Sequence, residues 1–148
     1  MAVRPKVDPV SGASVRVAPL TAPGVVLLLA IAAIDLLVYF GFALTFAYPG
    51  ILFVLNATAA AVIAAGLLRG YRVAWHAGAL LAASTAVAFV LVRTTGLPGF
   101  RLSDWIVTVG LLPLGPLSLV AEALFFGLYV SWLTSTRITS RRVASFSR

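Results

Sequence analysis

Four long apolar blocks alternate with short polar interruptions along this chain. They lie at about 25–48, 51–68, 73–92 and 116–135 and hold almost no charge. At about 1.5 Å rise per residue, a helix of such a block crosses a hydrocarbon core of about 30 Å, with some tilt for the longest. The charged residues sit almost entirely outside the blocks, the distribution expected when a bilayer core excludes charge. The expected fold is therefore all-α, an integral membrane four-helix bundle.

The interruptions set the connections. Pro49-Gly50 reads as the tight turn between the first two spans, since Pro stops a helix and Gly permits the reversal. Arg69-Gly70-Tyr71-Arg72 closes a hairpin of spans two and three. Both of those spans carry small residues four apart: Ala57, Ala61 and Ala65 on one, Ala74, Gly78, Ala82 and Ala86 on the other. That spacing allows close backbone approach in lipid. After Arg93 the residues Gly96, Pro98 and Gly99 forbid continued helix, and Ser103 suits an N-cap ahead of Asp104 and Trp105. Gly110, Pro113, Gly115 and Pro116 then break the apolar run. The expectation is a short interfacial or re-entrant half-helix at 103–112, followed by a last span with Pro116 in its first turn. The alternative is one kinked helix from Ser103 onward. Residues 1–24, with Pro5, Pro9, Pro19 and Pro23, read as an irregular tail that is not a cleaved signal. Residues 136–148 read as a second, basic tail.

Composition sharpens this picture. The chain is 61% hydrophobic and 10% charged, against about 25% charged in soluble domains. Counted by side, Lys and Arg number nine on the tails and the 69–72 loop, against two on the opposite loops. The positive-inside rule then puts both termini in the cytoplasm, in a plasma (inner) membrane. The net charge of +7 is accounted for by that topology and by attraction to anionic lipid at the cytoplasmic face. No basic folded face with aromatic neighbours exists, so nucleic acid is not an expected partner. Arg outnumbers Lys ten to one, a bias associated with GC-rich prokaryotic coding. Cysteine is absent, and one His and one Met limit haem ligation. Neither a phosphate-binding loop nor a hydrolase or metalloprotease motif occurs. No catalytic, cofactor-binding or metal-ligating set is expected.

What chemistry there is lies in polar residues inside the apolar blocks. Asn56, Arg93 and Glu122 fall in one outer-leaflet layer by residue count, with Asp104 just above it. Arg93 and Glu122 are expected to pair and lock the fourth helix to the third; the other reading is a proton, ion or head-group site. Asp35 comes out near the midplane with no cation at its depth, so it needs a hydrogen-bond partner on another helix, its own or a partner protein's. Ser118, Glu122, Phe126 and Tyr129 share one face by three- and four-residue steps. His76, beside Trp75, reads as a boundary residue.

The run Arg93-Thr94-Thr95-Gly96-Leu97-Pro98-Gly99, then Trp105, the Pro-Leu-Gly step at 113–115 and Ser118 through Glu122, resembles a pattern in small four-span membrane proteins of actinobacterial type. These have no established function. The resemblance implies that Arg93 and Glu122 belong to one unit, and it implies no activity. With no catalytic set, small-residue packing surfaces and termini without a core, the functional expectation is a non-enzymatic accessory or scaffolding subunit of a larger membrane complex, a respiratory complex being one candidate. Other membrane subunits, or further copies of the chain, would be its partners. The alternative is a small transporter or lipid- or quinone-binding protein using Asp35 and the Asn56, Arg93 and Glu122 cluster.

Overall fold

The computed structural model describes residues 18–42, 47–96, 108–109 and 112–146. Helix α1 spans Ala18–Phe42, α2 Ala47–Leu68, α3 Arg72–Thr94 and α4 Leu114–Phe146. Each contains a segment long and apolar enough to cross a membrane: Leu20–Gly41, Gly50–Leu68, Arg72–Thr94 and Leu114–Thr136. The fold is an all-α four-helix bundle. The chain is a multi-pass membrane protein.

The helices pack in a ring. α1 lies against α2 and α4, and α3 closes the ring between those two. α1 is the most enclosed of the four. The 69–71 turn, the start of α1 and the end of the α4 span gather at one end of the bundle, where Gly24 meets Trp75 and Trp75 stacks on Trp132. We call this the Trp75 end and its opposite the Arg93 end.

Several boundaries differ from those read off the sequence. α1 starts at Ala18, not 25, because prolines near a helix start cost little. Pro19 falls among the donors that have no intrahelical acceptor, and Pro23 forfeits one bond in the second turn. α1 also stops at Phe42. Pro49-Gly50 is not the turn between spans: both residues sit in the opening turn of α2, where a missing N–H is harmless. The whole first span therefore slides by about seven residues toward the N-terminus. α4 opens at Leu114 with Pro116 in its first turn, as expected, but runs on to Phe146 instead of ending near 135. No Gly or Pro follows Gly127 to stop it.

The half-helix expected at 103–112 is not what the described residues there form, and neither is one kinked helix. Thr108–Val109 and Leu112–Pro113 are extended and pair antiparallel, Thr108 opposite Pro113 and Val109 opposite Leu112. β-branched residues favour that conformation, and Pro113 interrupts any helix entering from the N-terminal side. Residues 103–107 and 110–111 lie outside the described residues.

Two glycines perform the terminations that the sequence suggests. Gly70 has φ +76°, donating to the Leu67 carbonyl while Tyr71 donates to that of Gly66. This paired capping satisfies two orphan carbonyls at the end of α2. Gly96, with φ +80°, donates to Leu91 O and ends α3.

The small-residue stripe on α3 is buried through Ala74, Gly78 and Ala82, while Ala86 is half-buried. On α2 the buried face steps by three, four and three, through Ala57, Ala60, Ala64 and Leu67. Ala61 and Ala65 point outward instead. A helix turns once in about 3.6 residues, so a strict spacing of four drifts off a straight contact face.

Candidate intramembrane polar site

A layer of polar side chains nearer the Arg93 end draws one residue from each of α1, α2 and α3 and two from α4. Asp35 on α1 is 3% exposed and Glu122 on α4 is 3% exposed. Asn56 lies on α2, Thr85 on α3 and Ser118 one turn before Glu122.

A hydrogen-bond chain crosses three helices. Asn56 Nδ2 donates to Asp35 Oδ2 at 2.6 Å. Asn56 Oδ1 accepts from Thr85 Oγ1 at 3.2 Å. Thr85 has a single hydroxyl proton and also lies 2.9 Å from the Leu81 carbonyl, so the two acceptors share it. On α4, Ser118 Oγ donates to Glu122 Oε1 at 3.1 Å. Glu122 Oε2 is buried and has no hydrogen-bond partner. The Asp35 and Glu122 carboxyls stand close enough to interact electrostatically.

Asp35 is thus not alone at its depth. Its partner is Asn56, on a helix of the same chain. The residue count misplaced it because the first span was set too late. With α1 ending at Phe42, Asp35 sits two turns from the Arg93 end, in the layer of Asn56 and Glu122. Thr85 went unremarked in the sequence, although it follows Ala74, Gly78 and Ala82 on their buried face and is the first residue of that series able to donate a hydrogen bond.

Arg93 does not join this layer. No ion pair with Glu122 forms, and both Arg93 Nε and Glu122 Oε2 are unpartnered. The reason is register: α3 and α4 run antiparallel, and Arg93 meets Gly115, about two turns before Glu122. Asp104 lies outside the described residues. The proposed face of Ser118, Glu122, Phe126 and Tyr129 also splits. Ser118 and Glu122 are buried with Ala121, Phe125 and Trp132, while Phe126 points outward.

His76 lies on the exterior at the Trp75 end, with Nδ1 2.8 Å from Tyr129 Oη and its ring edge-on to Trp132. A second carboxyl partner or a base for the polar layer is not found there.

The layer is rich in oxygen and poor in donors. Two carboxyls bring four acceptor oxygens, against the hydroxyls of Ser118 and Thr85 and the Asn56 amide. No group of three or more His, Cys, Asp and Glu exists among the described residues, so a cage for a transition metal or calcium is not built there. A proton, or one small monovalent cation, is the addition that such a layer accommodates. Comparison with protein-family models, curated proteins and solved structures finds no match to this chain.

Proposed function

We propose that this protein takes up a proton or small monovalent cation at the Asp35–Glu122 layer and carries it across the membrane. The carrying observation is Glu122 Oε2, a buried carboxyl oxygen without a partner, beside a second buried carboxyl. In hydrocarbon an unsatisfied polar atom costs several kcal/mol (about 2–7 by transfer measurements), so such an atom is retained where something binds it. Asn56 and Thr85 hold Asp35 in place, and Ser118 orients Glu122.

The test is flux in proteoliposomes holding the purified protein, read with an entrapped pH dye and separately with sodium and potassium indicators. Wild-type protein is expected to carry one of the three ions down an imposed gradient, with Glu122→Gln abolishing the flux and Asp35→Asn strongly reducing it. Absence of any flux, or full flux in Glu122→Gln, overturns the proposal.

A second reading keeps the chain as an accessory subunit of a prokaryotic membrane complex, with the polar layer as helix-to-helix glue. Its support is the outward pair Ala61 and Ala65 on α2, small residues four apart on a face that no helix of this bundle covers. Co-purification from native membranes separates this reading from the first. Under either, the nine-to-two asymmetry of Lys and Arg supports a plasma-membrane orientation with both termini cytoplasmic. Reporters fused after Thr45 and after Gly99 should both read as external.

A further inference from the structure

The polar layer is flanked by two unlike halves. Among the described residues, every fully buried carboxyl, guanidinium or hydroxyl lies in the layer or on its Arg93 side: Asp35, Glu122, Ser118 and Arg93. On the Trp75 side the buried residues are apolar, from Ile31 and Leu28 on α1 to Phe125 and Trp132 on α4. An ion that crosses the membrane through the layer has to pass that half. An apolar constriction stops it for as long as water is kept out.

Phe125 is the first obstacle. It follows Glu122 by three residues on α4, so it lies about 4.5 Å of helix rise to the Trp75 side of that residue and on the same face. It is 0% exposed. Its ring fits against α3 because position 78 is glycine; a Cβ there would come 2.5 Å from Phe125 Cζ. Trp75 stacks on it at 5.9 Å. On the outside of this seam His76 Nδ1 and Tyr129 Oη meet at 2.8 Å, a side-chain hydrogen bond that ties α3 to α4. α3 is also the helix that the ring holds least. Its packing on α2 and on α4 is the lightest between neighbours, while α1 and α2 pack most broadly. A small shear of α3 away from α4 would therefore part Phe125 from Gly78 and leave α1 and α2 together.

We infer that Phe125, seated in the notch at Gly78, is the gate between the polar layer and the Trp75 side, with the His76–Tyr129 bond as its latch. The inference rests on the transport reading above and supplies the moving part that such a reading requires. With the latch broken and α3 displaced, water reaches Glu122 from the Trp75 side. With the ring back in its notch, the layer is sealed from that side.

The experiment uses the absence of cysteine from the chain. Ala121→Cys places a single thiol beside Glu122 without touching the Ser118–Glu122 bond. Full-length protein in sealed vesicles is exposed to silver ion, a monovalent cation that traps thiols, from the bath that meets the Trp75 end. Arg69→Cys, on the turn at that end, identifies which vesicles present it. Thiols left untrapped are counted with a fluorescent maleimide after denaturation. Phe125→Ala should speed trapping of the Ala121→Cys thiol at least tenfold. Tyr129→Phe removes the latch and keeps the ring, and it should speed trapping several-fold. A core that only holds helices together is not opened by the loss of one hydrogen bond on its outer surface, so this second variant separates gate from scaffold. It also keeps the test decisive if Phe125→Ala does not fold. Faster trapping in Tyr129→Phe supports the gate, and an unchanged rate overturns it whatever Phe125→Ala does. Trapping is read without an ion gradient, so a wild type that carries no ion strikes the transport reading and leaves the trapping rates to decide whether the seam opens.

Discussion

The two ends of this bundle are built on opposite principles. At the Trp75 end, large rings pack on one another. Trp75 stacks on Phe125 at 5.9 Å and on Trp132 at 5.5 Å, with interplanar angles of 24° and 12°. Gly24 and Gly78 give up their side chains so that those rings fit. Nearer the Arg93 end the interior is held by single hydrogen bonds between small polar groups, and two buried atoms have no partner at all. In lipid, helices gain little from excluding water, so close dispersion contact is the main adhesive. The aromatic end supplies that contact. The polar layer gives up part of it and keeps unsatisfied oxygen, which a purely structural bundle has no reason to retain.

If stability is concentrated at the aromatic end, the largest loss should follow Trp75→Ala. Removing that ring leaves a void facing Gly24, Leu67, Phe125 and Trp132. A loss of about 3 kcal/mol is expected, the low end for water-soluble cores, because hydrocarbon and not water is the alternative environment. Equilibrium unfolding in mixed micelles measures it. A loss below that of Asp35→Leu would reverse the comparison. Gly78→Leu comes next. Even a Cβ at this position would lie 2.5 Å from Phe125 Cζ, so α3 and α4 must part or the ring must swing out. Overpacking of this kind costs about 1–3 kcal/mol, readable as a lower Tm with α-helical circular dichroism retained.

The same contrast explains what could be read from the chain. Four apolar blocks and two glycine stops are visible in composition alone, since span length and the lack of a Cβ are properties of single residues. Depth is not such a property. It depends on where each helix begins, and Pro49-Gly50 carries the same letters whether it ends one helix or opens another. Taking it as a turn pushed the first span about seven residues late and removed Asp35 from the layer it shares with Asn56. Glu122 and Arg93 failed to pair for a related reason: opposite charges in neighbouring helices meet only if their registers agree. Small residues were legible as a type, but their faces needed the true pitch, so Ala60 and Ala64 are buried where Ala61 and Ala65 were expected.

A smaller effect tests whether the polar chain is glue. Asp35→Ala and Asn56→Ala each break the 2.6 Å bond, and their double-mutant cycle should show coupling of about 0.6–2 kcal/mol, the range for hydrogen bonds between membrane helices. Thr85→Val should couple more weakly to Asn56→Ala, because the Thr85 proton is already shared with Leu81 O. Coupling indistinguishable from zero would mean that Asn56 and Asp35 do not touch in the membrane.

The smallest expected effect on stability is the most informative about function. Glu122→Gln keeps the shape of the side chain and keeps an oxygen to accept from Ser118. It replaces the unpartnered Oε2 by an amide nitrogen, on a helix that packs against the one carrying Asp35. No hydrogen bond of the structure is lost. Stability should therefore change by less than about 1 kcal/mol, because no existing bond is broken and one unpartnered group takes the place of another. If the carboxyl is there to load and release an ion, the same variant loses all flux, because an amide does not titrate and carries no charge to balance a cation. A bundle with unchanged unfolding and no transport would separate the two roles cleanly. Stability falling by 2 kcal/mol or more (about the cost of an orphaned buried partner) would show instead that Glu122 holds the helices together, and the polar layer would then belong with the aromatic end as scaffold.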